Sequence, residues 1–196
     1  MVNVKRLRCF IGWLAILLPW LLALILKEIP PSISYTYYTH AGTVFTIILG
    51  SASVLLMYYD GYEKADDIIN TIASFFGFAI CLFPCEVQAD KVGVFQIKME
   101  ISAVIHNVCA VIFFAILAYN SFFQFTKNNG TMSRNKCIRN AIYRICGIGM
   151  IGAFALFALP HFYCKIWLIE TIALFFFGVS WLTKANAYKW LFAEKD

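Results

Sequence analysis

Residues 101–126 run for twenty-six positions without one formally charged side chain, yet carry His106 and Asn107 near their start. A helix of that length, at about 1.5 Å per residue, reaches about 39 Å, enough to cross a hydrocarbon layer about 30 Å thick with some tilt. This is a membrane segment. An ionisable group in such a segment is costly to leave facing lipid, so by default it points into the protein and raises a functional question.

Five further apolar runs are arranged around it. Lys5, Arg6 and Arg8 precede residues 9–26, which end at Lys27, Glu28, Pro30 and Pro31. Eighteen apolar residues exceed the roughly 7–15 of a signal peptide core and favour a retained helix. A polar and aromatic connection, SISYTYYTH, places Tyr35, Tyr37 and Tyr38 where rings suit the boundary between headgroups and hydrocarbon. Helices are then expected over 41–59, 68–83, 101–126, 141–159 and 166–183, and the tail from Lys184 onward suits a short amphipathic helix on the surface. The chain therefore predicts one all-α domain over 1–196, a polytopic integral membrane bundle of six transmembrane helices.

Composition agrees, with 61% hydrophobic and 14% charged residues and a mean hydropathy of +0.73. Soluble domains carry about 25% charged residues. The net charge of +5 would suggest nucleic acid in a soluble chain, but here basic residues flank apolar runs and read as orientation signals. Six crossings return both termini to one side. That side receives Lys5, Arg6, Arg8, Lys64, five basic residues around the fourth connection and three in the tail, leaving Lys27, Lys91, Lys98 and Lys165 opposite. The excess orients both termini to the cytoplasm.

With that orientation His40, His106, His161 and Glu170 all fall near the outer leaflet. Glu170 lies within the apolar run of the last helix, and a His106–Glu170 hydrogen bond would satisfy two groups that are each expensive alone. Three readings follow. The pair is a structural clasp between helices. Or His106, Glu170, Asn107, Tyr35 and Tyr38 line a ligand pocket opening to the outer leaflet, taking a lipid or another amphiphile. Or His40, His106, His161 and Glu170 supply donors that suit zinc, which would make the chain a metal-dependent intramembrane hydrolase of lipid amide or ester bonds, although no HExxH-like spacing supports it.

Other signals have plainer explanations. GIGMIG at 147–152 matches GxGxxG, but no strand precedes it, and its glycines suit close helix packing. Asn129–Gly130–Thr131 is a glycosylation sequon on the expected cytoplasmic side, where it would be silent. Asp60, Glu63, Asp66 and Asp67 form an acidic knot without calcium-loop spacing, suited to a helix start and to contact with the basic fourth connection. Seven cysteines show no CxxC pair, and only Cys85 and Cys164 lie near enough to the outer edge for a disulfide.

The succession ISYTYYT, YDGYEKADDIINTIASFFGFAICLFP, IHNVCAVIFFAILAYNSFFQF, IYRICG and IETIALFFFGVSWLTKA resembles a family of bacterial six-helix membrane proteins designated only as a domain of unknown function. The likeness spans residues 32–185, with Asp60, Gly61, Tyr62, Pro84, His106, Glu170 and Trp181 as its recognisable positions. It implies a multi-pass protein of the bacterial cytoplasmic membrane and supplies no activity. Two other classes stay open: an oligomeric channel or transporter, which would show broken helices or repeated halves, and an accessory protein acting through a cytoplasmic partner or anionic lipid at its basic loop and tail.

Overall fold

The computed structural model describes residues 4–59, 61, 63–85, 91–127 and 133–186. Among these residues the chain is helical except for one short hairpin. The helices are α1 (Val4–Leu26), α2 (Gly42–Met57), α3 (Lys64–Leu82), α4 (Met99–Tyr119), α5 (Arg134–Ala153) and α6 (Lys165–Lys184). Five stretches are long and apolar enough to span a membrane: α1, α3, α6, α4 with its continuation to Gln124, and α5 with its continuation to Ala158. At 16 residues α2 is shorter, about 24 Å.

Except for α2, the helix starts lie earlier than apolar runs alone suggest, because charged residues also adopt the helix. α1 begins before Lys5 and Arg6. α3 begins at Lys64, with Asp66 and Asp67 in the first turn, where negative charge meets the positive end of the helix dipole. α5 begins at Arg134 because the Ser133 hydroxyl accepts from the Lys136 amide at 3.3 Å, a serine cap. Within the third connection, Lys91–Val92 pairs antiparallel with Ile97–Lys98. The sequon at 129–131, most of the expected tail helix, and Asp60 and Tyr62 lie outside the described residues.

Each helix packs on its neighbours in sequence, and α1 packs extensively on α6, so the six close into a ring. Glycine permits the closure. A Cβ on Gly12 would stand 2.9 Å from the Gly178 carbonyl oxygen, and one on Gly178 would stand 2.6 Å from the Gly12 oxygen. The two backbones touch without side chains between them, as small residues allow in membrane helices. The GIGMIG glycines divide: Gly147 faces the Ala118–Phe122 turn of the α4 continuation and Gly149 faces the Phe176 ring, whereas Gly152 faces open space. The Gly50–Ser53 stretch of α2 divides likewise, with open space at Gly50 and Ser53 buried opposite Gly77 of α3.

Gly12→Val is therefore expected to destabilise the detergent-solubilised protein by about 1–3 kcal/mol through overpacking. Gly152→Ala should be neutral or slightly stabilising in the same thermal unfolding assay, since alanine favours the helix and meets nothing.

Candidate functional site

The connection between α1 and α2 folds down onto the start of α6. Pro30 and Pro31 offer no N–H, and the first free donors beyond Ser32 turn inward. The Ile33 amide donates to Glu170 Oε2 at 2.5 Å, and the Ser34 hydroxyl donates to Oε1 at 3.3 Å. The Trp167 amide donates to the Pro31 carbonyl at 3.0 Å, and a 3-10 turn, Ser34–Tyr38, completes the cover. Both carboxylate oxygens of Glu170 are thus engaged by the connection, 137 residues away in sequence for Ile33.

Beneath this cover lies a small cavity of about 50 Å³. Phe45 of α2, Ile80 of α3, Phe113 of α4 and Leu174 of α6 form its walls, while Glu170 and Ser34 supply its polar rim. Glu170 is the one ionisable side chain on its lining. The chemistry is that of an apolar slot with a single carboxylate at one end.

His106 does not join it. His106 is buried on α4 and its Nδ1 lies 2.8 Å from the Phe83 carbonyl oxygen, which makes Nδ1 the protonated nitrogen, since a carbonyl only accepts. One turn earlier, the Ser102 hydroxyl donates to the Pro84 carbonyl at 2.8 Å. The expected His106–Glu170 hydrogen bond is therefore not formed. The physical reason is Pro84: a helix that stops in an apolar setting leaves carbonyls that must find donors, and α4 brings His106 and Ser102 to them.

The other expected pocket residues are dispersed. Asn107 is exposed on the outer side of α4, and Tyr35 is exposed on the connection. The Tyr38 hydroxyl donates to the Cys85 carbonyl at 2.6 Å, and burial, followed by the nearby Cys85 and Tyr37, pushes its pKa up to about 12. It fastens the connection to the end of α3. His40 Nε2 sits 3.2 Å from the Ile25 carbonyl and His161 is exposed, so the three histidines stand at separate places. Among the described residues no group of three His, Cys, Asp or Glu side chains is placed to hold a metal. Cys85 and Cys164 are not joined by a disulfide.

At the opposite end of the ring lies a polar network that the apolar reading passed over. Asn120 Nδ2 donates to Asn70 Oδ1 at 2.9 Å, and Asn70 Nδ2 donates to the Asp66 carbonyl at 2.7 Å. Both asparagines are fully buried. α4 widens here into a π-turn over Asn120–Gln124, a distortion that often accompanies functional sites. Lys127 then reaches back to Asp66 at 2.7 Å and to Glu63 at 3.0 Å, realising the contact expected between the acidic knot and the basic connection. Its ammonium is held above the usual lysine range first by Asp66 and then by Glu63. The signal was present in the sequence: Asn70 and Asn120 each interrupt an apolar run.

Two measurements follow. His106→Ala should lower folding yield or thermal stability by about 1–3 kcal/mol, because it orphans the Phe83 carbonyl. Asn120→Leu should cost about 1 kcal/mol in the same unfolding assay by stranding Asn70 Oδ1, a value in keeping with hydrogen bonds between membrane helices. No family model, curated protein or solved structure matches the chain, so any functional reading rests on this geometry.

Proposed function

We propose that the chain is a six-crossing integral protein of the cell membrane, with both termini cytoplasmic, that holds an amphiphile in the cavity beneath its outer surface. Glu170 engages the polar head of that ligand and the aromatic and aliphatic walls receive its apolar part. The observation that carries this reading is a lone carboxylate on the rim of an otherwise apolar cavity. Its make-up is that of small-molecule sites, which are mostly apolar with few polar groups, but at about 50 Å³ it is smaller than their usual roughly 300–1,000 Å³, so a bound amphiphile has to part its walls.

The topology draws support from five spanning-length helices and from the bias of Lys and Arg toward one side. Crossing by α2 adds the sixth. The amphiphile reading is favoured over zinc-dependent hydrolysis because His40 and His106 each face a different backbone carbonyl and His161 stands apart in the open.

Native mass spectrometry of the gently extracted protein tests the reading. A lipid-sized adduct should be retained by the unmodified chain, and Glu170→Gln should weaken retention about tenfold, corresponding to about 1.4 kcal/mol. His106→Ala should leave retention per folded molecule unchanged. Equal retention in Glu170→Gln and the unmodified chain would remove Glu170 from ligand recognition.

A further inference from the structure

α1 and α6 meet along the seam that closes the ring, and a groove of about 350 Å³ runs along it. Ile16 and Trp20 of α1 form one wall, and Trp167, Thr171, Phe175 and Phe176 of α6 form the other. Trp167, Thr171 and Phe175 follow at intervals of four residues, so they stand one above another on a single face of α6. Trp20 is 57% exposed and Phe175 is 50% exposed, which opens the groove to the surroundings of the bundle. Both helices are of spanning length, so those surroundings are lipid.

Two side chains of this lining carry unused polar atoms. Among the described residues Trp167 Nε1 and Thr171 Oγ1 are buried and make no hydrogen bond, although the two side chains are neighbours on the helix face. Trp167 is only 5% exposed and Thr171 only 8%. An indole N–H can only donate, so it calls for an acceptor, and an unpaired donor is costly in hydrocarbon. The larger grooves along α4, of about 530 and 470 Å³, carry no buried unpartnered polar atom on their linings. Lipid-facing relief alone therefore does not account for the pair.

Depth identifies the acceptor. α6 begins at Lys165, and at about 1.5 Å per residue Trp167 and Thr171 lie about 3 and 9 Å inside the helix end, with Phe175 about 15 Å in. The ends of a 20-residue span, about 30 Å long, stand at the hydrocarbon boundary, where the ester groups of a glycerolipid sit and its acyl chains begin. A carbonyl oxygen has two lone pairs and can take both donors. Trp20 packs T-shaped on Trp167, with ring centroids 5.6 Å apart, and its exposed ring is the part of the wall able to turn aside. We propose that the groove holds one acyl chain of a diacyl glycerolipid, whose ester carbonyl accepts from Trp167 Nε1 and from the Thr171 hydroxyl. The lipid lies along the seam between the first and last helices, apart from the Glu170 cavity, which shares no lining residue with the groove.

Native mass spectrometry of the full-length protein tests this, after equilibration with equal amounts of a diacyl and a dialkyl phosphatidylcholine of matched chain length. The dialkyl lipid keeps the headgroup and chains but has ether links in place of ester carbonyls. The unmodified protein should retain the diacyl lipid roughly tenfold over the dialkyl one, the order expected of one or two hydrogen bonds. Trp167→Phe with Thr171→Val keeps an aromatic ring and a branched side chain, removes both donors, and should bring the ratio close to one. Glu170→Gln should leave the ratio unchanged, so failure of the cavity reading and failure of this one are separate results. Trp13→Phe, at an exposed tryptophan of α1 outside the groove, should leave it unchanged too.

Should the double variant fail to fold, Thr171→Val alone should lower the ratio by about twofold or more. Equal retention of the two lipids by the unmodified protein would overturn the proposal. So would a full preference in the folded double variant, or an equal loss in Trp13→Phe. A lipid-free dimer that the double variant splits would give the groove to a second copy of the chain and overturn it as well.

Discussion

In hydrocarbon every backbone N–H and C=O must be satisfied within the protein, and the fold is arranged around the places where helices cannot do this. Pro84 stops α3 and leaves carbonyls that His106, Ser102 and Tyr38 meet. Pro30 and Pro31 interrupt the chain after α1, and Glu170 receives the Ile33 amide that follows. The Lys165 ammonium takes the Phe157 and Leu159 carbonyls, at 2.9 and 2.5 Å, where the 3-10 turn after α5 runs out. Side chains that a sequence reader marks as chemical candidates are here completing backbone hydrogen bonds.

This use of polar groups makes the two ends of the ring different in kind. At the Glu170 end Glu170, His40, His106 and Lys165 are spaced apart, each fixed to a backbone partner, and a cavity remains among apolar walls. At the other end side chains meet one another: Asp66 with Lys127, Asn70 with Asn120, and cations with aromatic rings. A carboxylate already hydrogen-bonded twice is held in place without being surrounded, so it keeps a defined orientation toward the space it borders. The cations of the other end are instead held by carboxylates, a backbone carbonyl and aromatic rings of the chain itself.

The helical class and the location of all six helices were legible because apolar runs of this length have few alternatives. Their starts were not, since α3 begins at Lys64 with Asp66 and Asp67 favoured by the helix dipole and α5 begins at Arg134 behind a serine cap, neither through hydropathy. Glu170 stood out as a charge within an apolar segment, and it does border the cavity. His106 stood out for the same reason, but its partner was misread: two ionisable groups at one depth suggest each other, while a proline-ended neighbour offers a nearer acceptor. Asn70 and Asn120 obeyed the same rule and escaped notice because they are uncharged. The cavity walls could not be read at all, because Phe45 and Phe113 are indistinguishable in sequence from phenylalanines that face lipid.

The contact between Gly12 and Gly178 joins the first helix to the last. During synthesis at roughly 5–20 residues per second, the 166 positions separating them take on the order of ten to thirty seconds to emerge. Throughout that interval α1 lacks its most extensive neighbour, and the Ile33 amide lacks the carboxylate that will receive it. The ring is thus a structure whose seam is sealed only by its final helix, so its maturation belongs to the end of membrane insertion, and anything that shields the α1 face until then acts as its chaperone.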